Sequence, residues 1–112
     1  MPVELATEQD GDVVRVALSG ELDMSTAASV EERLMELEQG ASLEGVVLDL
    51  RDVRFIDSTG LSLLINADRR ARRAGWRVTI VSGSGAPRRI LDTTGLKARL
   101  DIVEQASDVD PG

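Results

Sequence analysis

Val46-Val47-Leu48-Asp49-Leu50, then Asp57-Ser58-Thr59-Gly60, then the stretch from Leu61 to Gly75 give the order strand, loop, helix that decides the fold. The first run is too short and too continuously apolar for an independent helix and fits a strand buried on both faces, central in a sheet. Leu61, Leu64, Ala67, Ala71 and Ala74 recur at spacings of three and four, so the third stretch reads as a helix that begins near Leu61 with one apolar face. Its small alanines let it sit close to the sheet. Gly75 is a natural stop, and Arg69, Arg70, Arg72 and Arg73 suit the negative end of the helix dipole. Between strand and helix, Ser58 is then an exposed hydroxyl at a helix N-terminus. Orphan backbone N–H groups and the positive end of the dipole face whatever that hydroxyl carries, an environment that suits a phosphate.

Working outward, Val3 to Thr7 and Val13 to Ser19 read as two strands of a hairpin turned at Asp10-Gly11, with Val14, Val16 and Leu18 on one face. Gly20-Glu21-Leu22-Asp23 leads into a helix from about Thr26 to Gln39. Ala27, Val30, Leu34 and Leu37 form its stripe, Asp23 or Ser25 its cap, and Gly40 its stop. On the far side, Trp76 to Ser82 is another strand and Gly83-Ser84-Gly85 a loop. Pro87 suits a first helical residue, Gly95 ends that helix after Ile90-Leu91, and Ile102-Val103 is a short last strand. Strands alternating with helices after a hairpin predict an α/β fold, a mixed sheet of four to five strands with right-handed parallel connections. The 112 residues make one domain, with its core over about residues 3–103 and a polar tail over 104–112. Sites in such sheets favour the loops at the strand C-terminal ends, where Asp23 and Ser58 both fall.

Composition removes most alternatives. Phe55 and Trp76 are the only aromatics, so the core is aliphatic. With no Cys and no His, the chain has no disulfide, no zinc site of the usual type and no His-dependent acid–base or nucleophilic chemistry. A formal charge of −7 disfavours nucleic acid. No apolar run approaches the length of a membrane span, and Met1 to Gly11 lacks the basic and apolar regions of a signal peptide, so the expected location is the cytoplasm.

Asp23, Asp49, Asp52 and Asp57 raise the question of a carboxylate pair or a divalent ion, but capping and loop roles account for Asp23 and Asp57. No metal or cofactor is expected. Gly83-Ser84-Gly85 precedes a helix as a phosphate cradle would, yet it lacks the Lys and the spacing of a P-loop. The arginines between Arg69 and Arg73 read as a solvated helix face.

Three motifs in order carry a resemblance. Gly20-Glu21-Leu22-Asp23, Asp57-Ser58-Thr59-Gly60-Leu61 and Ile90-Leu91-Asp92-Thr93-Thr94-Gly95-Leu96 are similar to the first loop, the phosphorylation motif and the C-terminal helix of the STAS domains of anti-sigma factor antagonists, and the likeness runs from about Val3 to Val103. The resemblance implies partner switching in transcription regulation, as in stress response or sporulation. The unphosphorylated antagonist binds an anti-sigma factor that is also a serine kinase and so frees a sigma factor. Phosphorylation at Ser58 ends the complex, and a PPM-type serine phosphatase restores it. By the same match Asp23, Asp57, Thr59 and Gly60 line the partner surface around Ser58. The alternative is a STAS scaffold or accessory subunit of a stress-sensing or lipid-transport complex. A small enzyme using the acidic residues is a more distant one. Ser58 and Thr59 also have a purely local reading, as cap and first-turn residues.

Overall fold

The computed structural model describes residues 3–39 and 43–109. Along the chain run β1 (Val3–Asp10), β2 (Val13–Leu22), α1 (Ala27–Gln39), β3 (Gly45–Ile56), α2 (Ser58–Ala74), β4 (Arg77–Val81), α3 (Ala86–Thr94) and β5 (Asp101–Val103), with 3-10 turns at Leu96–Ala98 and Ala106–Asp108. One five-stranded sheet has the order β1-β2-β3-β4-β5. The first pair is antiparallel and the other three are parallel.

The hairpin is closed by Gly11 and Asp12, one residue later than expected, because Asp10 still pairs with Val13. Gly11 has φ +62°, which puts the residue without a Cβ at the first turn position. After the hairpin, each right-handed crossover steps one strand in the same direction, so the helices gather on one face of the sheet. Val14, Val16 and Leu18 from β2, Leu48 and Leu50 from β3 and Ile80 from β4 meet Val30 and Leu34 of α1 and Leu63, Leu64 and Ala67 of α2 in that layer.

Two expectations about the core change. Buried positions on α2 are Gly60, Leu63, Leu64, Ala67, Asp68 and Ala71, whereas Leu61 is only half-buried and Ala74 is exposed. The helix starts at Ser58 rather than near Leu61, and its packed face is turned from the expected Leu61 and Ala74 edge toward Leu63 and Asp68. β3 is also longer than its apolar run; it is central in the sheet and buried on both faces as expected, but helices cover only one of them. Its Val46, Leu48 and Leu50 lie under the helices, while Val47 and Asp49 belong to the opposite face with Ala17 and Val81. Charged side chains roof that second face. Arg51 pairs with Asp49 at 2.6 Å, Arg77 with Asp101 at 2.6 Å, and Thr79 Oγ1 lies 3.1 Å from Asp101. Val47, Thr79 and Val81 are buried beneath long stems whose charged heads stay in water.

The arginine-rich end of α2 is partly structural. Arg70 reaches across to α1, with Nε and Nη2 on Glu38 at 2.8 and 3.0 Å and Nη1 on Glu31 at 2.9 Å. The carboxylates, Glu38 foremost, hold its guanidinium above its usual pKa. Arg72 pairs with the buried Asp68 at 2.7 Å. Gly75 caps the helix at φ +89° and donates its N–H to the Ala71 carbonyl. Gly95 ends α3 in the same way at φ +74°. The proposed stop at Gly40 and the last residues of the tail lie outside the described residues.

Candidate functional site

The site is built where β2 and β3 end side by side. Their last registered pairs are Glu21 with Phe55 and Leu22 with Ile56. The two chains then turn on the same rim, one into the loop before α1 and the other directly into α2. Asp57 N–H donates to the Leu22 carbonyl at 3.2 Å, joining the two ends. Gly60 lets the first turn of α2 press against them. A Cβ there would overlap the Leu22 carbonyl oxygen and lie 2.9 Å from Ile56 Cγ2.

Asp57 is the N-cap of α2, with extended backbone at φ −101° and ψ −173°. Its Oδ1 accepts the Gly60 N–H at 3.0 Å, and its Oδ2 accepts the Met24 N–H at 3.0 Å. One carboxylate therefore caps the helix and fixes the neighbouring loop. Its carbonyl accepts from Leu61 N–H at 3.0 Å. Of the first four helical amides, those of Gly60 and Leu61 are engaged, which leaves Ser58 and Thr59 to face an anion. Both residues are exposed, and the Ser58 hydroxyl makes no hydrogen bond to the described residues.

Asp23 organises the adjoining loop. Its Oδ1 accepts from Ser25 N–H at 2.9 Å and Ser25 Oγ at 2.7 Å, and these bonds, the hydroxyl first, hold its carboxyl below the usual carboxylate range. Thr26, which is buried, donates its hydroxyl to the Glu21 carbonyl at 2.7 Å and accepts the Asp23 N–H at 3.0 Å. Thus Asp23 and Thr26 shape the entry to α1, and Ser25 serves as a donor to Asp23 rather than as a cap.

The structure brings Asp23, Asp57, Ser58 and Thr59 to one rim. Gly60 differs from the others, being buried beneath it. Asp49 sits mid-strand, bound to Arg51, and the seven residues separating it from Ile56 put it on the order of 20 Å away. An acidic cluster spanning Asp49 and Asp57 therefore does not form. Among the described residues no group of three or more His, Cys, Asp or Glu is placed to hold a metal ion. At the Gly83 loop, Ser82 N–H is bound to Val103 O and Gly83 N–H to Glu104 O, which ties the start of the loop to the end of β5. The Met24–Asp57 bond escaped sequence reasoning, because it joins residues 33 positions apart.

The STAS domain family model matches residues 4–109, in keeping with the mixed sheet, its helices on one face and the exposed serine that begins the capped helix α2. The anti-sigma-B factor antagonist of Bacillus subtilis (strain 168) is 32% identical over 103 residues, covering 91% of this chain and 92% of the relative. The anti-sigma F factor antagonist of Paenibacillus polymyxa is 30% identical over 96 residues, covering 86% and 82%. The chain belongs to the anti-sigma factor antagonist family. A crystal structure of an anti-sigma factor antagonist from Mycobacterium paratuberculosis superposes with a TM-score of 0.79 at 28% identity, covering 95% of this chain and 89% of that one. SpoIIAA in its unphosphorylated form shares the fold, with a TM-score of 0.69 at 17% identity over 94% and 92% of the two chains. No helix among the described residues is long and apolar enough to cross a membrane.

Proposed function

We propose that this domain is a phosphorylation-controlled binding protein: unmodified, it binds an anti-sigma factor with serine-kinase activity and so releases a sigma factor, and phosphorylation at Ser58 ends that complex. The observation that carries the reading is the Ser58 hydroxyl, exposed at the start of α2 and without a hydrogen-bond partner among the described residues. In the phosphorylation step Ser58 Oγ forms a bond to the γ-phosphorus of the kinase's ATP. The bond to the bridging oxygen breaks, ADP leaves, and the hydroxyl proton passes to a base of the kinase. A PPM-type phosphatase hydrolyses the ester and returns the serine.

The product is tolerated by the fold and unwelcome at the interface. Free amides at Ser58 and Thr59 and the helix dipole favour the new anion locally. On the surface it adds a charge of about −1.5 to −2 beside Asp57 and Asp23. Docking would have to strip water from that charge and make room for its bulk, so binding of the anti-sigma factor falls. Asp23, Asp57 and Thr59 form the rim around the serine, and Gly60 supports it from beneath.

The test uses the purified anti-sigma kinases encoded in the same genome, each titrated by calorimetry with unmodified protein, phosphoprotein and the Ser58→Ala variant. Expected results are tight binding of the first and third and weak binding of the second, with Ser58→Ala refusing label from ATP. Equal affinity of unmodified and phosphorylated protein would overturn the switch and favour a scaffold role.

A further inference from the structure

The described residues expose three large hydrophobic side chains, and two of them belong to the strand ends that lead to the Ser58 rim. Met24 is 78% exposed and Phe55 50%, and the third, Met35 at 42%, lies on α1. Single exposed hydrophobes are ordinary on a protein surface. These two are set apart by where the fold puts them. Glu21 pairs with Phe55 and Leu22 with Ile56 at the ends of two parallel strands. Two residues beyond the last pair lie Met24 on one chain and Ser58 on the other, so Met24 and Ser58 sit at equivalent positions on neighbouring strand ends. Phe55 lies three residues before Ser58 on β3. Met24 is also held in place, since its N–H donates to Asp57 Oδ2 at 3.0 Å.

We infer that Met24 and Phe55 are the apolar anchors by which the anti-sigma factor docks over Ser58, and that Asp57 positions Met24 for that contact; this rests on the function proposed above. Continuity and charge select the occupant. The anchors border the serine that the kinase must reach, and the polar groups around them, Asp23 and Asp57, are acidic. The complementary surface is an apolar recess with a cationic rim on the anti-sigma factor. A Met and an aromatic side chain match the anchors that dominate binding energy in many interfaces, with a polar surround that excludes water. Phosphorylation then introduces its charge on the same rim as the two anchors, where docking would have to desolvate it. This explains how one modification disables a contact whose apolar groups are unchanged.

Asp57 contributes through geometry. An Asn there keeps a single acceptor oxygen, so it can cap Gly60 or hold Met24 but not both. Asp57→Asn is therefore expected to weaken binding by releasing Met24, and the loss should largely vanish when Met24 is already Ala. A general destabilisation of α2 would instead add to the Met24→Ala effect.

The experiment titrates the anti-sigma kinase that binds the wild-type protein with Met24→Ala, Phe55→Ala, the double variant, and Met35→Ala as the matched control. Each single anchor change is expected to weaken binding by about tenfold and the pair by about a hundredfold, with Met35→Ala unchanged. The melting temperatures of all four should stay close to wild type, since the side chains are exposed. In steady-state phosphorylation of Ser58, the anchor variants should raise KM for the antagonist while leaving kcat near wild type. Binding of the double variant within threefold of wild type, or an equal loss from Met35→Ala, would overturn the anchors and leave the proposed function standing. Absence of any wild-type complex with a kinase would overturn both.

Discussion

The two ends of α2 are finished by opposite means. At the C-terminal end Gly75 turns the chain, Arg72 meets Asp68, and Arg70 is shared between Glu31 and Glu38. Those charges answer one another within the domain. At the N-terminal end Asp57 makes the cap and holds the next loop, yet the Ser58 hydroxyl, the first two amides and the side chain of Met24 are left facing solvent. The contrast teaches where to look for function on a scaffold of this kind. A site is the place where good local structure stops short of satisfying its own groups.

The largest expected effect tests the seat of the N-terminal end. Gly60→Val would drive a branched side chain into the Leu22 carbonyl and Ile56, and both are part of the strands beneath. A loss of at least about 3 kcal/mol in denaturant unfolding is expected. A variant as stable as wild type would mean that α2 does not rest on those strands. At the other end, Arg70→Met removes the bridge and leaves Glu31 and Glu38 facing each other. About 1 to 3 kcal/mol should be lost, and a second change, Glu38→Gln, should recover part of it. No recovery would indicate that the bridge contributes packing alone.

A smaller effect concerns acid. The carboxyl of Asp23 titrates below the ordinary 3.8 because Ser25 donates two hydrogen bonds to its charged form. Its folded pKa is depressed, so its contribution is complete above the unfolded value and disappears as pH falls through the folded one. Carbon NMR of the Asp23 carboxyl should give a midpoint under 3.8, and Ser25→Ala should raise it. A midpoint unmoved by that change would remove Ser25 as the cause. The smallest effect is the most telling for the comparison. Ser58→Ala should alter stability by no more than about 0.5 kcal/mol, because no group among the described residues bonds to its hydroxyl. A clear drop in melting temperature would mean that Ser58 serves the domain as a cap, as its sequence position alone also allows.

Local chemistry made much of this readable in advance. The alternation of Val14, Val16 and Leu18, the apolar run from Val46, and the glycines at Gly75 and Gly95 each signal structure within a few residues; each element includes its signal, although β2 runs on to Leu22 and β3 to Ile56, past the ends expected at Ser19 and Leu50. Asp57-Ser58 was legible for the same reason, as a cap pattern between a strand and a helix. What escaped was set by distant partners. β3 continues to Ile56 through Arg51, Asp52 and Arg54, residues that look like a loop until β2 supplies the pairing. Its register also shifts between Ala17 and Ser19 and again between Gly20 and Glu21, which no one-dimensional pattern reveals. Arg70 read as one more solvated cation, since its partners are 32 and 39 positions away. Gly60 read as part of a surface, although its lack of a side chain is what brings the helix down onto the strands.

The tight seat of α2 has a consequence for the cell. With Gly60 pressed against Leu22 and Ile56, and Asp57 N–H held by the Leu22 carbonyl, the helix has no slack through which a change at Ser58 could travel into the core. Quality-control proteases sense how often a domain opens. On the function proposed above, a phosphate that the helix dipole favours makes opening no more frequent, so marking Ser58 does not hasten removal of the protein. The domain can then be rewritten many times without new synthesis.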